Sequence, residues 1–223
     1  AFRRNKKAFD MAVGGVRIFR ENGILPSIAI CATRETMEQG CLYEYLELAK
    51  EIGAAFVQVL DATPSGNYIG KDVMLTKPQM EELKKFQIDV NTSERYKDYP
   101  GAQARAFMED ENVNGCNGGN ALVYVDSSGN VQACDLLQLS FGNVLEEDVE
   151  TVYRRLKKHF PHQKKGRCPA QTLSKDIAKG FEKSGTLPLQ YDDCARILEK
   201  IDKMELPDRF MEVRKKKSRR KLG

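Results

Sequence analysis

Of the six cysteines in this 223-residue chain, three stand in company that suits them to chemistry. Cys116 lies in the glycine-rich run Asn114-Gly115-Cys116-Asn117-Gly118-Gly119, twelve residues separate it from Gly129, and four more lead to Cys134. Cys168 follows alone in Gly166-Arg167-Cys168-Pro169. Thiolate is the ligand that iron–sulfur clusters take. Glycines beside it let backbone approach a bulky inorganic group and leave amide N–H groups to face sulfide. The same thiols admit two other readings. Each cysteine can be a small buried hydrophobe, or three of them with His159 or His162 can form a tetrahedral zinc site. Short Cys-x2-Cys pairs, the usual mark of structural zinc, are absent from the chain.

These cysteines need elements to hold them. Residues 121–125 and 130–134 read as two short strands joined by Asp126-Ser127-Ser128-Gly129, a hairpin that sets Cys134 on the returning strand. Gly142-Asn143-Val144 then turns into a helix with Glu146, Glu147 and Asp148 in its first turn, favourable to the helix dipole, and Val149, Val152, Tyr153 and Leu156 as its apolar face. His159 and His162, each near a proline and lysines, read as exposed. Cys194 sits among Ile197 and Ile201 in a helix-like stretch and is either core or a distant fourth ligand.

The first ninety residues alternate helix and strand. Residues 9–22 form a helix with apolar positions at 12, 16 and 19, ending at Asn22-Gly23. Residues 27–31 are a short buried strand. Thr36 and Gln39 make a capping box for a helix whose Leu42, Tyr45, Leu46, Ala49 and Ile52 share a face, and residues 55–60 are a second buried strand. A second box, Thr76 with Gln79, opens a helix carrying Met80, Leu83 and Phe86. The rhythm is that of a parallel α/β fold, though two strands cannot close a barrel. Cys31 and Cys41 read as packing. The loop after the second strand, with Pro64 and Gly66, lies where such folds bind ligands; Thr33, Arg34 and Glu35 after the first strand are weaker candidates.

The spacing of Cys116, Gly129 and Cys134, with Gly142-Asn143 beyond, resembles the SPASM module, or its shorter Twitch form, that carries auxiliary iron–sulfur clusters in radical S-adenosylmethionine (radical SAM) enzymes. The resemblance implies an α/β fold: a partial parallel (β/α) barrel over residues 1–105, the last units of a radical SAM core. A small α+β SPASM/Twitch-like domain with a β-hairpin follows over 106–175, then a helical extension over 176–223. It implies one auxiliary 4Fe-4S cluster on Cys116, Cys134 and Cys168, with Cys194, a histidine, water or substrate as fourth partner. Pro64 and Gly66 match the family's Pro-x-Gly loop that meets the adenine of the cofactor. The family's Cys-x3-Cys-x2-Cys motif for the catalytic cluster does not occur, and the chain opens in a helix-like segment without methionine. The expectation is therefore a C-terminal fragment that does not cleave S-adenosylmethionine alone, from a parent that holds S-adenosylmethionine and a catalytic 4Fe-4S cluster. Such a parent acts on a peptide or small-molecule substrate and draws electrons from a donor such as ferredoxin or flavodoxin. The competing expectation is a noncatalytic zinc-binding or partner-binding domain.

Composition bounds these readings. With 41% hydrophobic and 30% charged residues, no tryptophan and no apolar run near eighteen residues, the chain reads as globular, without a membrane span. Six cysteines and no charged-then-apolar leader suit a reducing compartment, so a cytoplasmic location is expected. The net charge of +4 comes from the run 214–221, which holds seven basic residues and leaves the remainder net negative. That run reads as a solvated tail, so nucleic acid is not an expected partner.

Overall fold

The computed structural model describes residues 5–110, 112–166, 168–208 and 210–211. The basic run 214–221 lies outside the described residues. The chain forms two compact units, one of residues 1–62 and 74–107, the other of residues 63–73 and 108–223. The loop 63–73, read from sequence as part of the first domain, is thus gathered with the second, as are the helices beyond residue 175.

In the first unit, α1 (Ala8–Glu21) leads to β1 (Ser27–Ala32), then α2 (Arg34–Glu38), α3 (Leu42–Glu51), β2 (Phe56–Asp61), α4 (Lys77–Thr92), β3 (Gly101–Ala104) and α5 (Arg105–Met108). The three strands are parallel in the order β1-β2-β3, with Ser27 opposite Phe56 and Phe56 opposite Gly101. Central β2 buries Val57 and Val59 completely, as a strand flanked on both sides must. Leu42, Leu46 and Ala49 of α3 and Leu83, Phe86 and Val90 of α4 bury against the same core. Each such large side chain contributes about 1.5–3 kcal/mol through burial.

Several local readings change. Strand β1 is not buried: Ser27, Ala29 and Cys31 are exposed, because β1 is the sheet's edge and only Ala32 is enclosed. Cys31 is therefore not a packing residue, while Cys41 is half-buried at the start of α3. The first capping box uses Thr33 and Thr36, with Thr36 N–H donating to Thr33 Oγ1 at 3.3 Å and Thr33 N–H to Thr36 Oγ1 at 2.9 Å. It starts the short α2, and Gly40 at φ +69° separates that helix from α3. The second box, Thr76 with Gln79, stands as read.

The second unit is built on the hairpin of β4 (Tyr124–Val125) and β5 (Val131–Gln132), followed by α6 (Val149–His159), α7 (Pro169–Thr172), α8 (Ser174–Ser184) and α9 (Ala195–Asp202). Its strands are shorter than the sequence suggests but pair antiparallel, Tyr124 opposite Gln132. Asp126 fixes the turn, its carboxylate accepting from the backbone of Ser128 at 2.8 Å and Asn130 at 3.0 Å. Asp148 caps α6 from outside, accepting from the N–H groups of Glu150 and Thr151, so Glu146, Glu147 and Asp148 all precede the helix and Glu150 is the acidic residue of its first turn. Val152 and Leu156 are fully buried, whereas Val149 and Tyr153 face solvent. Arg155 pairs with Glu147 at 2.6 Å and donates to Phe141 O at 2.6 Å. Gly142 lies beneath that pair at φ +137°, where a Cβ would stand 2.5 Å from Glu147 Oε1 and 2.6 Å from Arg155 Nη1. That φ is one L side chains rarely adopt, which favours glycine there.

Candidate metal centre

Glycines bring the cysteines together. Gly115, at φ +62°, passes so close to the segment before Cys168 that a Cβ would meet Lys164 O at 2.4 Å. Cys116 and Lys164 consequently exchange both backbone hydrogen bonds of an antiparallel bridge, at 2.9 and 3.1 Å. Three positions on, Gly119 N–H reaches Ala133 O at 2.8 Å, which ties the Cys116 loop to the residue before Cys134. Between them, a Cβ on Gly118 would stand 3.4 Å from Cys116 Sγ and 3.7 Å from Cys134 Cβ, so the bare glycine leaves the two cysteines open to each other. Cys168 enters from the N-cap of α7, with Pro169 at the first helical position.

All three side chains are buried, with exposures of 4%, 8% and 6% for Cys116, Cys134 and Cys168. A hydrogen bond between the Cys116 and Cys168 thiols, reinforced by burial, pushes Cys116 far above the ordinary thiol range. Burial pushes Cys134 up to about 11, with negative charge at Cys168 adding to it, while hydrogen bonds from the backbone of Leu137 and Leu136 oppose the rise. Cys116 and Cys134, poorly solvated, both resist ionisation; a bound cation would reverse that balance and release their protons.

Cys168 thus links the other two, through a hydrogen bond to Cys116 and through its field at Cys134. Among the described residues no three His, Cys, Asp or Glu side chains stand at metal-holding spacing. Three buried sulfurs are nevertheless the donor type that iron–sulfur clusters take, and backbone groups of Gly118 are turned to Cys116 and those of Leu136 and Leu137 to Cys134.

The other candidates lie elsewhere in their bonding. Cys194 is 1% exposed and its thiol donates to Gln190 O at 3.1 Å, while burial and the charge of Asp193 push it up to about 12. It packs against α9 and the structure does not couple it to the other three. His159 is buried, not exposed as read: Nδ1 is 2.8 Å from Asp202 Oδ1 and Nε2 is 2.9 Å from Tyr191 Oη. Both ring nitrogens are engaged, so His159 is a poor fourth ligand. His162 is half-buried with Nδ1 2.6 Å from Gln163 O. In the second unit Pro64 is buried, and Gly66 is exposed at φ +55° with its N–H donating to Gln138 Oε1 at 2.8 Å.

Two features escaped the sequence reading. Lys164 is 1% exposed, and nothing in Gln163-Lys164-Lys165 distinguishes it from Lys165, which is half-buried and paired with Asp208. Asp61, at the end of β2, is held by Arg105 after β3 through a two-pronged pair at 2.9 and 2.8 Å, with Asp61 2% exposed. An aspartate ending an apolar strand was the available signal.

An open parallel α/β unit followed by a small unit with three gathered cysteines is the class that fold and site define. Within that frame the chain is similar to the AdoMet-dependent heme synthase of Nitratidesulfovibrio vulgaris (strain Hildenborough), a radical SAM enzyme, at 26% identity over 180 residues. The match covers 72% of this chain and 48% of that protein, so the chain spans about half the length of the curated relative it matches. No protein-family model matches the chain, and neither does a solved structure. The similarity supports radical SAM kinship and does not bear on a SPASM or Twitch module. Among the described residues, no helix is long and apolar enough to cross a membrane.

Proposed function

We propose that the chain is part of a radical SAM enzyme and that its second unit binds an auxiliary 4Fe-4S cluster through Cys116, Cys134 and Cys168. The observation that carries this reading is that Cys116 and Cys134 flank Gly118 while Cys168, also buried, hydrogen-bonds to Cys116, three thiols drawn from segments far apart in sequence. Similarity to the AdoMet-dependent heme synthase supports the enzyme class independently. When bound, such a cluster supplies a one-electron relay or an open iron that takes a substrate heteroatom.

The chain's own part is to hold and insulate that centre. Backbone groups of Gly118, Leu136 and Leu137 would offset negative charge on sulfur, and Phe141 and Phe160, both fully buried, exclude water from this unit's core. The fourth position would fall to water, substrate or His162, since the Cys194 thiol is turned to the backbone and His159 is doubly bonded. In the parent, Pro64 and Gly66 would face the adenine of S-adenosylmethionine, and the catalytic cluster would rest on a Cys-x3-Cys-x2-Cys segment that this chain does not contain. Electrons would come from a low-potential donor of the ferredoxin or flavodoxin kind. The relative's name concerns heme, which favours a small molecule over a peptide as substrate.

The test is electron paramagnetic resonance of the anaerobically reconstituted, dithionite-reduced chain. A fast-relaxing signal of a reduced four-iron cluster is expected. Stoichiometric zinc without such a signal would sink the proposal in favour of a noncatalytic zinc domain.

A further inference from the structure

We propose that the outer edge of β4 pairs antiparallel with β4 of a second copy of this chain, making a two-fold dimer through the second unit. Ala121-Leu122-Val123-Tyr124-Val125 is an unbroken apolar run, and each residue from Leu122 to Val125 is between 39% and 49% exposed. Successive strand residues point to opposite faces, so both faces of the run meet solvent. An exposed apolar edge strand without lysine, proline or charge is a template for another strand.

The backbone determines which groups are on offer. Asp126 N–H donates to Asn130 O at 3.0 Å, so Asp126, and Tyr124 two residues before it, direct their backbone groups to β5, where Tyr124 stands opposite Gln132. Val123 and Val125 alternate with them and direct theirs outward. Val131, opposite Val125, accordingly bonds on its far side, to Gly142 O at 2.9 Å and from Phe141 N–H at 2.7 Å. No described residue bonds to the outward groups of Val123 and Val125. In an antiparallel pair centred on Tyr124, Val123 faces the partner's Val125 and Val125 faces the partner's Val123. Each pair exchanges both of its hydrogen bonds, so every outward group is matched. That register is self-complementary, as a two-fold interface requires. Asp126 falls opposite the partner's Leu122, with its own carboxylate already bonded within the turn.

Helix α6 widens the surface. Lys157 Nζ reaches Gly119 O at 3.3 Å and Asn120 Oδ1 at 3.2 Å, just before the run. Just after it, a Cβ on Gly129 would lie 2.8 Å from Leu145 Cγ. Residues 149–157 of the helix rise about 12 Å and residues 121–125 of the strand about 13 Å. Tyr153 and Val149, one and two turns before Lys157, therefore run alongside β4, and both are exposed, as is Leu145. With Leu122–Val125 they present large apolar side chains at on the order of 100 Å² each, which together approach the roughly 800 Å² that one partner buries in a standard interface.

The experiment is sedimentation velocity of the purified chain over a range of concentrations, with hydrogen exchange at the Val123 and Val125 amides, for the parent and its V125P, Y124K and L25K variants. The parent is expected to pass from monomer to dimer as concentration rises, with both amides slowed in the dimer. V125P removes an outward donor at an edge position that tolerates proline, and Y124K sets two lysines against each other across the axis. Each should weaken the dimer by about tenfold or more. L25K, which charges an exposed apolar residue of the first unit, should leave it unchanged. A parent that stays monomeric overturns the proposal and leaves this surface to a different partner. A dimer that V125P and Y124K leave intact, that L25K weakens equally, or whose two amides exchange freely overturns it as well. If circular dichroism shows V125P unfolded, Y124K decides alone.

Discussion

Gly119→Ala is the sharpest test of how the cysteine loops are joined. Gly119 sits at φ +69°, and a Cβ there would stand 2.5 Å from Phe160 Cγ and 2.7 Å from Phe160 Cβ, with Phe160 fully buried. Two costs add. Forcing an L-residue into the left-handed region costs about 1 kcal/mol, and displacing a packed aromatic ring costs about 1–3 kcal/mol. A loss of roughly 2–4 kcal/mol corresponds to a fall in apparent Tm of roughly 5–15 °C for a chain of this size. Gly185 is the control, because at φ +71° it has no heavy atom within 4 Å of the same built position. Gly185→Ala should lose only the backbone part, about 1 kcal/mol. Thermal melts followed by circular dichroism decide the matter: if the two variants melt together, the close approach of Gly119 to Phe160 is wrong.

Three further outcomes follow from the geometry. Arg105→Met should destabilise the first unit by about 3–5 kcal/mol in urea unfolding, because it breaks the buried two-pronged pair with the Asp61 carboxylate, 2% exposed. Burial would raise the Asp126 carboxyl, but hydrogen bonds from Asn130, Ser128 and Gly129 more than offset this and hold it below the usual carboxylate range. Its stabilisation is therefore present above the ordinary carboxylate value and lost as pH falls through the depressed one; the Tm gap between the parent chain and Asp126→Ala should close on acidification from pH 7 to pH 2. Cys194→Ala should leave iron uptake intact while lowering stability by about 1–2 kcal/mol, since its thiol bonds to Gln190 O and lies inside the α9 core; loss of iron in this variant would return Cys194 to the ligand set.

Where local chemistry was strong, the sequence told the fold plainly. The box at Thr76 and Gln79, the Asn22-Gly23 ending of α1 and the Asp126–Gly129 turn each carry their own bonding rule, and each lies where that rule puts it. Strand β3 was invisible because Gly101-Ala102-Gln103-Ala104 offers no branched or aromatic residue; it pairs because β2 presents a free edge to it. Buried polar groups were the other failure. His159 and Lys164 sit in a run rich in lysine and proline that reads as surface, and only the partners Asp202, Tyr191 and Phe160, distant or differently placed in sequence, make their burial tolerable. Cys31 erred in the opposite direction, since apolar neighbours along a strand do not reveal that the strand lies at an edge.

The central claim is tested most directly by iron, zinc and acid-labile sulfide per chain after strictly anaerobic reconstitution, measured beside Cys116→Ala, Cys134→Ala and Cys168→Ala. Iron and sulfide near four each per parent chain, falling in all three variants, is the result expected of a cysteine-ligated cluster. Zinc, or no metal, with the variants indistinguishable from the parent, would contradict it and leave the three thiols as core packing.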